Sequence, residues 1–275
     1  MKKRVISATV LIVGMLLCLF LGKVTRLIFF MAAGMLCAYE YSHNMEKLDV
    51  HCSMWVFMVY LAGQALLAAF DFKLTAGSVW YIGCVYLALL SGILRARVRG
   101  NGAVDTVAGL AYPCLLFGVL LYIVVQDIWL ETLALGCVSA WLCDTFALLG
   151  GTRFGKHKVA PAISPNKTVE GCICGAIGSL GAGLLLWLCG RLCGGSVFGS
   201  PYQSFSLGLC LFTAFFASTL GQMGDLVESL LKRMLGIKDF SDLIPGHGGM
   251  FDRADSLLFS IPTAYFCIKL YLGRL

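Results

Sequence analysis

Hydrophobic positions along this chain run in long unbroken blocks. A helix needs about 20 apolar residues to cross a bilayer. Blocks of that order fall at 5–22, 27–42, 54–72, 77–94, 104–125, 128–149, 168–190, 205–228 and 256–273. The pattern predicts an all-α, polytopic membrane protein of about nine transmembrane helices. The second block is the least clean, because Glu40, Tyr41 and His43 crowd its end. Polar residues gather in two intervals, 150–167 and 229–255, and the second holds 8 charged residues in 27. The first block opens with MKKR, like a signal peptide, but Leu21-Gly22-Lys23 offers no small-x-small cleavage site and further blocks follow. It reads as a retained helix.

Composition strengthens this picture. The 275 residues are 59% hydrophobic and 13% charged, with mean hydropathy +0.85; soluble domains run near ~45–50% apolar and ~25% charged. The net charge of +6 matters through its distribution. With a cytoplasmic N-terminus and alternating spans, 15 of the 21 Lys and Arg fall inside, in the segments around Lys2, Lys47, Arg97, Lys156 and Lys232. Only Lys23, Arg26, Lys73, Arg191, Lys269 and Arg274 fall outside. The positive-inside rule therefore favours this orientation, with the C-terminus outside and both polar intervals cytoplasmic. No repeat or linker divides the chain. It reads as a single membrane-embedded domain over 1–275, with mainly N-terminal helices to 125 and the chemistry in 126–275. The 13 cysteines lie mostly within apolar runs and behave as small hydrophobes. Cys172-x-Cys174 and Cys189-x3-Cys193 lack the partners of a zinc site.

Acids inside the blocks are costly, at least ~2.5–3.5 kcal/mol each near a helix centre, so they mark function. Gln222, Asp225, Glu228 and Ser229 follow i, i+3, i+6, i+7 spacing and lie toward one side of a helix. Such a stripe serves a polar cavity, although a helix end at headgroup level could also carry it. Asp144 lies less than two turns before Gly150, on the helix entering the other polar interval. Gly246-His247-Gly248-Gly249 permits positive φ and close backbone approach to an anion. Asp252 and Asp255 are three apart and could share a helical face, where Asp255 would also suit the helix dipole. Asp252 with Asp225 and Asp144 offers oxygen ligands for a hard cation such as Mg²⁺. Lys232, Arg233, Lys238 and Arg253 suit phosphate oxygens.

Gly150-x4-Gly155-Lys156 spells most of a phosphate-binding loop, but His157 stands where Ser or Thr should hold Mg²⁺, and a membrane helix precedes it. That motif is rejected. In Ser164-Pro165-Asn166-Lys167-Thr168, Thr168 can cap the next helix, without a capping box, and Lys167 is left near the membrane surface. His247 fits a substrate contact better than a general base.

Two blocks resemble the phosphatidate cytidylyltransferases (CDP-diacylglycerol synthases). One is Ser229-Leu-Leu-Lys232-Arg233-x4-Lys238-Asp239-x5-Pro245-Gly-His247-Gly-Gly-x2-Asp252-Arg253-x-Asp255. The other runs from Asp144-Thr145 through Gly155-Lys156-His157-Lys158 to Ser164-Pro165-Asn166-Lys167-Thr168-Val169-Glu170-Gly171. Ala254, Phe146 and Asn166 depart from the pattern, which favours a larger aliphatic, Gly and Lys there. The resemblance implies transfer of CMP from CTP to phosphatidic acid, giving CDP-diacylglycerol and pyrophosphate for phospholipid synthesis. It implies Mg²⁺, alone or with a second cation, and a multi-pass protein of the cell membrane with its site facing the cytoplasm. Asp225, Asp252 and Lys167 would be catalytic. Asp225 and Asp252 would ligate metal, with Asp144 and Asp255 as further candidates. Ser164, Asn166, Lys232, Arg233, Lys238, His247, Gly248, Gly249 and Arg253 would surround substrate. No nucleic acid partner is expected, and a homodimer is compatible with the reading. The competing classes are a transporter or channel, another CTP-using lipid enzyme (an archaeal-type lipid cytidylyltransferase or a polyprenol kinase), and a silent scaffold.

Overall fold

The computed structural model describes residues 19–95, 101–192, 205–243 and 248–273. Eight of the nine predicted blocks fall within these residues, and each is helical. They are α1 (Lys23–Glu46), α2 (Met54–Ala69), α3 (Leu74–Leu94), α4 (Ala103–Gly109) passing through a π-helical turn (Leu110–Cys114) into α5 (Leu115–Ile123), α6 (Trp129–Phe154), α7 (Val169–Leu192) and α8 (Leu207–Leu235). A one-turn helix, α9 (Phe251–Ala254), then precedes α10 (Leu257–Tyr271). The first block, 5–22, lies almost wholly outside the described residues. Among the described residues, six segments are long and apolar enough to cross a membrane: α1, α3, Ala103–Ile123, α6, α7 and α8. Helices α2 and α10 are shorter, at 16 and 15 residues. The chain is a multi-pass, predominantly helical membrane protein.

Three local departures have physical causes. The 104–125 block is not one continuous α-helix. Pro113 cannot donate a backbone hydrogen bond, and Tyr112 leaves helical geometry (φ −152°, ψ 115°). Helix α8 runs past 228 to Leu235, so Ser229, Lys232 and Arg233 are helical rather than in a loop. Gly236, at φ +67°, stops it in the left-handed conformation that glycine adopts without strain. The interval 150–167 is also not a plain loop. Helix α6 continues to Phe154, and a small antiparallel hairpin follows, β1 (Lys158–Ala160) and β2 (Ser164–Thr168), with Lys158 opposite Thr168 and Ala160 opposite Ser164. The hairpin is the one exception to an all-α architecture among the described residues. Residues 150–154 are helical, as the rejection of the phosphate-loop motif requires.

The chain forms two compact units. One comprises the residues up to Gln126 together with Met234–Arg253; the other comprises Asp127–Arg233 with Ala254–Leu275. In the first, glycines admit large rings. A Cβ on Gly109 would lie 2.6 Å from Phe57 and 2.7 Å from Tyr41, and one on Gly118 would lie 2.2 Å from the Tyr60 hydroxyl. The described residues of segment 234–253 join this unit through the Phe240 and Phe251 rings. Phe240 and Phe251 are at most 2% exposed, their rings 4.4 Å apart, and Asn44 of α1 donates to the Phe240 carbonyl at 2.8 Å.

In the second unit α6 and α7 approach at backbone distance. A Cβ on Gly171 or Gly175 would come within 2.8 Å of the Ala147 or Cys143 carbonyl oxygen. Small residues at i and i+4 are the usual device for such contact. Phe146, where the family resemblance favours Gly, fills the space left by Gly178.

Candidate active site

Helix α8 presents its polar stripe to the rest of the second unit. Gln222 Nε2 donates to the Cys172 carbonyl of α7 at 3.3 Å. One turn on, Asp225 Oδ2 is ion-paired with Lys167 Nζ of β2, and Asp225 Oδ1 accepts from Ser229 Oγ at 3.5 Å. Glu228 is 1% exposed and pairs with Lys232 Nζ at 2.7 Å. Lys167 reaches Asp225 because Thr168 ends β2 and starts α7 in one residue: its hydroxyl accepts from Gly171 N at 3.2 Å, the cap that the sequence suggests.

Asp255 completes the group through glycine packing. A Cβ on Gly224 would lie 2.6 Å from the Asp255 carbonyl oxygen and from the Phe259 ring, so only glycine lets the start of α10 lie this close to α8. Carboxylate oxygens of Asp225, Glu228 and Asp255 then all lie within 4.8 Å of one another. Gathering acids has a measurable electrostatic cost. The Asp255 carboxyl is pushed up to about 6, by burial first and then by Asp225, with Asp144 adding to the rise; the Ser256 amide and Lys232 oppose it. Lys167 and Lys232 offset two of the three negative charges.

Gly224→Ala should therefore displace Asp255. We expect about a tenfold or greater loss of activity from a sub-ångström shift, with a lowered melting temperature. Gly221→Ala is the internal control: its nearest neighbours would stand at 3.4 Å, ordinary contact, and it should be nearly silent in the same two assays.

An all-oxygen, partly buried donor set of three carboxylates suits a hard divalent cation, with water and substrate oxygens filling the remaining positions. The sequence points to Asp225, Asp255, Asp144 and Asp252 as metal ligands. Glu228 stands in the stripe without a ligand role there, because spacing cannot show that its carboxylate turns toward Asp255. Asp144 is on α6, exposed, in the same unit and an electrostatic neighbour of Asp255.

The hairpin carries the remaining second-unit candidates. Ser164 and Asn166 lie on β2 with Lys167. Arg233 Nε donates to the Ile163 carbonyl at 3.1 Å, which ties α8 to the hairpin turn. Glu170, which has no role in the sequence reading, clamps the other end. It accepts from the Lys156 and His157 amides at 3.0 and 3.2 Å and meets His157 Nδ1 at 2.6 Å.

The glycine turn belongs to the first unit. Gly248 has φ +83°, and Gly249 is buried. Asp252, 8% exposed, accepts through Oδ2 from Gly249 N at 2.8 Å and Phe240 N at 2.9 Å. Met250 N and Phe251 N donate to Glu40 at 2.9 and 2.8 Å. Of the four residues whose backbone the sequence offers to an anion, Gly249 turns its amide to the chain's own Asp252, and the next two amides turn to Glu40. Lys238 and Arg253 are exposed in this unit. His247 lies outside the described residues.

A partly buried cluster of three carboxylates, balanced by two lysines, lies in a multi-pass helical protein; such a donor set suits a hard cation. The cytidylyltransferase family pattern matches residues 2–271, and the chain belongs to that family. It is 30% identical over 277 residues to the phosphatidate cytidylyltransferase of Bacillus subtilis, covering 98% of each chain. Proteins of the same name from Staphylococcus saprophyticus and Staphylococcus aureus are 43% and 42% identical over 124 residues, 44% of this chain and 43% of theirs.

Proposed function

We propose that this protein transfers CMP from CTP to phosphatidic acid, giving CDP-diacylglycerol and pyrophosphate. The observation that carries the reading is the likeness to a phosphatidate cytidylyltransferase across 98% of both chains. The oxygen cluster and its lysines supply chemistry of the kind this reaction needs.

A phosphatidate oxygen attacks the α-phosphorus of CTP, the α–β anhydride bond breaks, and pyrophosphate leaves with the electron pair. The attacking phosphate is already ionised near neutral pH, so no strong base is required. Positioning and charge neutralisation dominate such a step. Asp225, Glu228 and Asp255 would hold Mg²⁺, which supplies charge neutralisation on nucleotide phosphates. Lys167 and Lys232, held in place by acids of the cluster, are placed to exchange carboxylate for phosphate partners. Arg233 keeps the hairpin turn against α8. The family resemblance adds Asp252 as a metal ligand and Arg253, Lys238, His247, Ser164, Asn166, Gly248 and Gly249 around substrate.

Nine spans, a cytoplasmic N-terminus, an outside C-terminus and a cytoplasm-facing site in the cell membrane complete the reading. They rest on the nine apolar blocks and on the 15 of 21 basic residues that this orientation places inside. A second cation and a homodimer are compatible with it.

The test uses membranes containing the protein, phosphatidate, Mg²⁺ and CTP labelled at the α-phosphate, with an Asp252→Asn control. Label should enter lipid with release of pyrophosphate, and the control should be silent. A γ-label entering lipid instead would identify a kinase. No transfer to phosphatidate or to isoprenoid lipid phosphates would reopen the transporter and scaffold classes.

The Asp255 carboxyl gives the reading a pH signature. Its proton competes with a bound cation, and its pKa is raised to about 6. Cation binding must therefore weaken as pH falls through that value, not rise. The Mg²⁺ concentration for half-maximal activity should increase by up to about tenfold per pH unit below ~6. An Asp255→Asn variant should lose that component of the dependence.

A further inference from the structure

Glu40 has no role in the chemistry above, and in the sequence it looks like polar crowding at a helix end. In the structure it is 3% exposed. A buried carboxylate is costly unless its oxygens are hydrogen-bonded. Here Oε1 accepts from Ser241 Oγ at 2.6 Å and Met250 N at 2.9 Å, and Oε2 accepts from Phe251 N at 2.8 Å. Gly249 makes room for it: a Cβ there would lie 2.6–2.8 Å from the carboxylate atoms. One turn further along α1, Asn44 donates to the Phe240 carbonyl at 2.8 Å, while the Phe240 amide donates to Asp252 at 2.9 Å.

We propose that Glu40 is a positioning residue for the reaction, holding the turn that leads into Asp252 and Arg253 in a single conformation. The proposal rests on the cytidylyl-transfer reading. Helix α1 grips segment 240–251 at both ends, from residues about 200 positions away in sequence. The gripping atoms are a charged acceptor and main-chain amides, so the bonds are both strong and directional. With the Met250 and Phe251 amides fixed directly after Gly249, Asp252 Oδ2 closes the turn onto the Gly249 amide.

The test compares full-length wild type, Glu40→Gln and Glu40→Asp in detergent with lipid. Glutamine keeps the shape but turns an NH₂ toward an amide donor. Amide hydrogen exchange without Mg²⁺ or substrate should accelerate about tenfold or more at 249–251 and stay unchanged in α6 to α8. The Mg²⁺ midpoint should rise and kcat fall by about 10–100-fold, the range seen when a partner behind a metal ligand is lost. Glu40→Asp should recover part of both. A purely structural role would reduce the active fraction, lowering Vmax while leaving KM and the Mg²⁺ midpoint in place. That result, or transfer within twofold of wild type, overturns the proposal. If Glu40→Gln does not fold, Ser241→Ala removes one donor and keeps the carboxylate; it should shift exchange and midpoint in the same direction by less, and no shift in either overturns the proposal. If wild type itself transfers no CMP, the functional reading fails and the catalytic part of this proposal with it, while the exchange arm still decides whether Glu40 orders the turn.

Discussion

Asp225→Asn should lower cytidylyl transfer by about 10³-fold, equivalent to about 4 kcal/mol of transition-state stabilisation, the upper range for removing one preorganised electrostatic group. Asp225 meets Lys167 through one oxygen and Ser229 through the other, with the Glu228–Asp255 group at close range. Asparagine keeps the side chain's size and can still accept from Ser229. What it removes is the negative charge that a cation and Lys167 both need. The change is small sterically, so the melting temperature should stay within a few degrees. Direct Mg²⁺ binding, read by calorimetry without substrate, should weaken in parallel. A variant that keeps more than a tenth of wild-type transfer would place the cation elsewhere.

Lys167→Met is expected to split two properties that usually move together. The Lys167 ammonium pairs with Asp225. A hard cation and an ammonium compete for that oxygen, so removing the lysine should tighten Mg²⁺ binding. Transfer should nevertheless fall by about 10²-fold, because a positive charge directed at substrate phosphate is lost. Lys167→Arg should recover only part of the rate, since a planar fork does not reproduce a point charge. Kinetics at saturating Mg²⁺, paired with a binding isotherm, would check both halves. Loss of rate together with weaker Mg²⁺ binding would show instead that Lys167 shapes the cluster rather than serving the substrate.

Part of the site is legible in the sequence alone. Asp225 comes from the helical stripe, Asp255 and Lys167 from the quoted motifs, and the structure puts all three in one compact unit, with Lys167 on Asp225. Glu228 is visible in the helical stripe, but spacing alone cannot separate a cavity-facing acid from a solvated helix end; the approach of Asp255 puts Glu228 in the carboxylate cluster. Nothing in the sequence marks a role for Glu170 or Glu40. Each binds main-chain amides, which leave no mark in a side-chain pattern, and Glu170 adds the His157 ring.

What the sequence determined by itself are the properties that add up locally. Hydropathy summed over a window fixes where helices can cross a bilayer. Isolated charges inside such windows stand out because they are costly there. Thr168 as a cap needs only its neighbours. The tertiary structure alone decided the rest: that Gly224 is the glycine admitting Asp255 while Gly221 is not under the same pressure, that α8 carries Lys232 and Arg233 as helical residues, and that Glu40 reaches Met250 across 210 positions. These depend on which surface meets which. A glycine, a buried acid and a helix end acquire their roles only from the atoms packed against them.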